Sequence, residues 1–139
     1  MIGEFVADAS VAVAWVHPAQ SSREASAWLD ALAAGAQLIV PSIWSLEVSN
    51  ALLTLERRGG LQPEERHRAL EFLRALPVVV DHDGGAHAFG DLAALATRET
   101  LSVYDASYLE LALRRKLPLG CRDGALRAAA VSHGLPILP

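Results

Sequence analysis

Short aliphatic runs alternate with helical stretches from one end of the chain to the other, and this alternation restricts the chain to an α/β fold with a mostly parallel sheet. Strands are expected at residues 4–7, 38–40, 78–80, 119–121 and 136–138, each bounded by Gly, Pro or a charged residue. Helices are expected between them at residues 11–16, 21–35, 43–58, 63–75, 85–99, 103–116 and 124–133. The stops have physical causes. Pro18, Pro77 and Pro118 cannot continue a helix, and Gly35, Gly59-Gly60 and Gly134 supply the freedom a helix end needs. The starts are equally readable, with Ser22 before Arg23-Glu24 and Pro63 before Glu64-Glu65, which places acids at the positive end of the helix dipole. No linker, repeat or low-complexity stretch divides residues 1–139, so one α/β domain is the expectation.

A chain of 139 residues with 52% apolar residues can build a core without disulfides, and its only cysteine, Cys121, cannot form one internally. The N-terminus lacks the basic stretch and apolar run of a signal peptide, and no run reaches the length of a membrane span. A cytoplasmic protein is expected.

Four carboxylates stand at element boundaries or on predicted helices among apolar neighbours: Asp8, Glu47, Asp105 and Asp123. An unpaired charge is costly in such places, so each needs a partner. Asp8 and Asp123 end predicted strands, and the crevice beyond the carboxyl ends of a parallel sheet is where loops and helix starts converge. Asp105, in the first turn of its helix, and Glu47, near the start of its own, can reach the same crevice. Carboxylates gathered there either take up protons or bind a hard divalent cation, and oxygen ligands favour Mg²⁺, with Mn²⁺ as its substitute. Such an ion activates water and polarises a phosphoryl oxygen, which is the chemistry of phosphodiester hydrolysis. Taken singly, Asp8 and Asp123 are also ordinary helix caps, and Glu47 and Asp105 ordinary helix acids.

Around these acids, Ser10 can either cap the first helix or bond a metal-bound water or the scissile phosphate, and Asn50 shares a helix face with Glu47 and can steady it. The net charge of −4, from 16 acidic and 12 basic residues, opposes a nucleic-acid partner only until the four site acids are set aside, which leaves the rest neutral. Arginines cluster at Arg57-Arg58, Arg66 with Arg68, Arg114-Arg115 beside Lys116, and Arg122 with Arg127. They read either as phosphate-binding patches or as solvated helix ends. Trp15, Trp28 and Trp44, and Tyr104 and Tyr108 flanking Asp105, read as packing residues before base-stacking ones. His87 and Asp91, a helical turn apart on the expected 85–99 helix, have metal-ligand spacing, but a turn and an acidic helix start explain the Asp81-His82-Asp83 cluster beside them as well.

Val6-Ala7-Asp8-Ala9-Ser10-Val11, Glu47 with Asn50, Leu101-Ser102-Val103-Tyr104-Asp105-Ala106 and Arg122-Asp123-Gly124-Ala125-Leu126 together resemble a PIN-domain ribonuclease of the VapC toxin type over essentially the whole chain. The resemblance implies a three-layer α/β/α sandwich, a metal-binding quartet of Asp8, Glu47, Asp105 and Asp123, and cleavage of RNA through a metal-activated water. It further implies a homodimer and a cognate antitoxin that occupies the groove. A thiol at Cys121 departs from the Thr or Ser common in that family two residues before the last Asp, and reads as a small buried residue.

Rival classes are weighed by single residues. A phosphorylatable receiver domain needs a lysine by its acid pocket, and the only lysine, Lys116, closes a helix before the penultimate strand. A dehalogenase-like phosphatase wants a second Asp where Ser10 stands. A nuclease of the same fold that processes RNA without being a toxin, and a binding protein with no turnover, are the remaining alternatives.

Overall fold

The computed structural model describes residues 3–122 and 124–136. Four parallel strands, β1 (Glu4–Ala7), β2 (Gln37–Pro41), β3 (Val78–Asp81) and β4 (Leu119–Gly120), form one sheet in the order β3-β2-β1-β4. Register follows the apolar runs: Phe5 pairs with Leu38, Ile39 with Val79, and Val6 with Leu119. β1 and β2 lie in the middle and are buried after their first residue, as a parallel strand covered on both faces must be. The final expected strand, 136–138, falls largely outside the described residues; within them, Pro136 accepts a hydrogen bond from the Leu119 N–H at 3.2 Å.

Helices α1 (Ala9–Val16), α2 (Arg23–Ala33), α3 (Trp44–Arg57) and α4 (Pro63–Arg74) carry the chain from β1 through β2 to β3, always in the same direction across the sheet. Helices α5 (Gly84–His87), α6 (Asp91–Glu99) and α7 (Val103–Arg115) then return it past β1 to β4, and α8 (Gly124–Ser132) follows. Right-handed crossovers in opposite directions put the two sets on opposite faces. The contacts agree: α1 packs on α2, α3 and α4, whereas α7 packs on α5, α6, α8 and the strands β1 and β2. Among the described residues no helix is long and apolar enough to cross a membrane.

Most helix ends follow the local chemistry. Ser22 accepts from the Ala25 N–H at 3.1 Å to open α2, Gly35 leaves it with φ +106°, and the Gln62 N–H is taken by Glu65 at 2.8 Å at the start of α4. One expectation fails. Instead of a single helix over 85–99 there are two, because the chain breaks at Phe89-Gly90, where Gly90 takes φ −126° and ψ −109° and caps α6. His87 and Asp91 therefore belong to different helices and lose their i, i+4 relation.

Trp28 is 2% exposed and packs against Phe5 with ring centroids 4.4 Å apart. Its indole also lies over Gly120, where an added Cβ would come within 2.8 Å of Cε2 and 2.9 Å of Nε1. Neither strand nor buried ring has room to retreat. Gly120→Ala is therefore expected to destabilise the protein by roughly 1–3 kcal/mol through overpacking, read as a lower urea midpoint with unchanged slope.

Candidate functional site

Chain direction reverses between β1 and β4: from β1 the chain moves outward to β2 and β3, and then returns to the other side of β1. At such a switch point the loops leaving the two strands diverge and open a crevice at their carboxyl ends. Asp8 leaves β1 here, and Cys121-Arg122 leave β4. The two ends are tied by the Asp8 N–H to the Gly120 carbonyl at 3.1 Å.

Asp8 is both the cap of α1 and a buried acid. Its Oδ1 accepts from the Val11 N–H at 3.4 Å and from the Ser10 hydroxyl at 2.6 Å, and the residue is 6% exposed. Burial pushes its pKa from 3.8 up to about 6, against the lowering effect of those hydrogen bonds and with added repulsion from the Asp105 carboxylate. No cationic side chain pairs with Asp8 among the described residues. Ser10, which the sequence left between a cap and a substrate contact, bonds Asp8 itself and also accepts the Arg122 N–H at 3.3 Å, so one hydroxyl joins both strand ends.

Asp105 lies in the first turn of α7, whose start is set by the Ser102 hydroxyl accepting the Asp105 N–H at 3.0 Å. Glu47 comes from the first turn of α3. Its partner is the Tyr108 hydroxyl, which donates to Oε1 at 2.5 Å across 61 residues of sequence. Asn50 is exposed and makes no bond to Glu47. Tyr108 is 1% exposed, and its own pKa is driven far above the ordinary phenol value by burial, then by the Glu47 hydrogen bond, then by the charges of Glu47, Asp8 and Asp105. The phenol thus sits in the field of all three acids and stays a donor. Sequence reasoning placed Tyr108 in the core and missed this contact. Its position one helical turn after Asp105 was the available signal.

Asp123 lies outside the described residues. Among those described, no group of three or more His, Cys, Asp or Glu side chains is arranged to hold a metal ion by itself. The chemistry of the donors still fits a hard divalent cation. A buried carboxylate with no cationic side chain beside it, repelled by a second one, is neutralised either by a proton or by a cation, and Mg²⁺ takes one or two carboxylates and completes its shell with water.

Beside the acids a cavity of about 440 Å³ runs between α1 and α3, lined by Ser10, Gln20, Glu47, Thr54 and Arg58. Arg57, Arg58, Arg68 and Arg127 make no ion pair among the described residues, but other members of the clusters are committed elsewhere. Arg66 pairs with Glu56 at 2.7 Å, Arg114 and Arg115 with Asp81, and the Arg122 guanidinium donates to the Gln20 carbonyl. Lys116 ends α7 in the left-handed conformation, φ 56°, as its cap. Cys121 is buried, as its small apolar character suggests, and so are Trp28 and Trp44. His87 and Asp91 line a separate cavity of about 350 Å³ with Arg98, Glu110 and Arg114.

A search of the curated proteins finds no match to the chain. Among solved structures, PAE2754 from Pyrobaculum aerophilum is similar with a TM-score of 0.68 and 25% identity, over 93% of this chain and 87% of that one. VapBC2 from Rickettsia felis, solved bound to a DNA fragment from its promoter, gives 0.64 at 12% identity over 91% and 92% of the two chains. VapC20 of Mycobacterium tuberculosis, a sarcin-ricin loop cleaving toxin, gives 0.60 at 18% identity over 97% and 99%. The PIN domain family matches residues 5–137, nearly the whole length, and together with the parallel sheet and the acids at its switch point this shows that the chain belongs to the PIN domain family.

Proposed function

We propose that this protein is a Mg²⁺- or Mn²⁺-dependent endoribonuclease and the toxin half of a toxin–antitoxin pair. The observation that carries the reading is Asp8: a buried carboxylate, raised in pKa by burial and by Asp105, without a cationic partner, at the carboxyl edge where the chain reverses. Asp8, Asp105 and Asp123 would hold the ion, with Glu47 contributing directly or through a water. When bound, the ion supplies Lewis acidity that lowers the pKa of a water and polarises the phosphoryl oxygen. Ser10 holds Asp8 in place and joins it to the Arg122 backbone, and Arg58 offers a positive charge to a phosphate in the adjoining cavity.

The toxin role draws on similarity to a toxin that cleaves the sarcin-ricin loop and on the resemblance of the acidic motifs to VapC-type PIN-domain ribonucleases. We further propose an RNA substrate, an antitoxin partner, a homodimer and a cytoplasmic setting. Purified protein is expected to cut RNA with Mg²⁺ or Mn²⁺ and to stop on addition of a chelator, with activity restored by excess metal. Cleavage that persists undiminished in chelator would sink the metal mechanism.

A further inference from the structure

Tyr108 stands apart from every other residue near the acids, because it is fully buried, carries no charge, and yet points its one polar atom at a carboxylate from another helix. We infer that Tyr108 is a positioning residue for Glu47: its hydroxyl holds Oε1 so that the second oxygen faces the cation or its water shell. This rests on the metal-dependent reading above.

Three observations carry it. Glu47 sits on α3 and Tyr108 on α7, and these helices belong to opposite faces of the sheet, so the 2.5 Å hydrogen bond spans the carboxyl edge and links the two layers at the site. Glu47 is half-exposed with a flexible side chain and has no other hydrogen-bond partner among the described residues, so the phenol alone selects its rotamer. Tyr108 is anchored in turn, since it is 1% exposed within the main core and cannot follow a moving carboxylate. The donor is neutral. It orients Glu47 without cancelling its charge, as an arginine or lysine would, and so leaves the full negative charge for a cation. Groups that orient metal-binding carboxylates in this way typically contribute about 10–100-fold to metal affinity or activity.

Tyr108→Phe keeps the ring and removes only the hydroxyl. Mn²⁺ affinity, read by titration with electron paramagnetic resonance detection of free Mn²⁺, is expected to fall roughly tenfold while the metal-free melting temperature changes little. Cleavage is expected to lose kcat at saturating RNA with KM for RNA unchanged. Glu47→Asp, whose carboxylate is one methylene too short to reach the phenol, is expected to lose a similar factor, and combining the two should cost no more than the worse single change, because both break one contact. A folded Tyr108→Phe protein that binds Mn²⁺ as tightly as wild type overturns the positioning role, as do losses that multiply in the double variant. Wild-type protein that binds no Mn²⁺ overturns the metal-dependent reading and this role with it, which separates the two failures.

Discussion

Asp8→Asn is expected to lose RNA cleavage by about a thousandfold or more, equivalent to roughly 4 kcal/mol of transition-state stabilisation, while making the metal-free protein more stable at neutral pH. The two effects have opposite signs because they share one cause. The Asp8 carboxylate is buried without a cation, and its pKa lies at about 6 against 3.8 for the exposed group. Between these values the native state keeps a proton that the unfolded chain releases, so the folded protein is favoured at low pH and that contribution is lost as pH rises through 6. Above pH 6 the buried charge costs on the order of 2–3 kcal/mol, a penalty that an amide does not carry. The amide oxygen can still accept from Ser10 and the Val11 N–H, so the cap survives. Urea denaturation at pH 4.5 and 7.5 checks the sign: without metal, the stability gap between Asp8→Asn and wild type should widen by about 2 kcal/mol from the lower to the higher pH. Mg²⁺ should stabilise wild type at pH 7.5 and leave the variant unmoved. A variant less stable than wild type at pH 7.5 without metal would falsify the burial penalty, whatever it does to cleavage.

Arg114→Met is expected to cost about 3 kcal/mol of stability, since it strands the Glu110 carboxylate and leaves Asp81 only the longer contact to Arg115 at 3.6 Å. The guanidinium donates to both oxygens of Asp81, at 3.0 and 3.1 Å, and its Nε to Glu110 at 2.9 Å. The Asp81 and Glu110 side chains are only 7% and 10% exposed. Asp81 ends the edge strand β3, so the network ties that strand to α7, the helix that carries Asp105 and Tyr108. The hydrogen bonds from Arg114 hold the Asp81 pKa below 3.8 despite the opposing effect of burial. This contribution is therefore present above pH 3.8 and is lost as pH falls through the lowered folded value. A variant that also carries Asp81→Asn and Glu110→Gln should recover most of the loss, because no buried carboxylate is then left unpaired, and Arg115, which loses Asp81, is 37% exposed. Equal instability in the single and triple variants would show that packing of the Arg114 stem, and not its charge, holds the region together.

Much of this architecture was legible locally. Val6 and Ile39 sit in apolar runs too short for helices, Pro18 and Gly35 end their helices, and Ser102 two residues ahead of Tyr104 opens α7. Backbone preference and apolar period act over one or two turns, and those distances can be read from a string of residues. The break at Phe89-Gly90 escaped because the apolar residues on either side keep helical spacing, and a glycine inside such a pattern does not announce which conformation it takes. Arg114 read as a surface cation for the same reason: its carboxylate on β3 lies 33 residues away, and nothing in the immediate sequence pairs them.

Residue type, order and spacing by themselves determined the α/β alternation, the placing of Asp8 at a strand end and of Asp105 in a helix start, and the joint pattern of acids that resembles a PIN nuclease. Tertiary structure alone decided which groups meet. It reversed the strand order beside β1, brought the Glu47 carboxylate under the Tyr108 phenol, joined Ser10 to Arg122, and consumed Arg114 and Arg115 in holding Asp81. The reason is physical. Local structure answers to steric and hydrogen-bond preferences of neighbouring residues, whereas the pKa of Asp8 and the partner of Glu47 depend on burial and on charges supplied by segments far away in the chain, which exist only once the sheet and its two helical layers have closed.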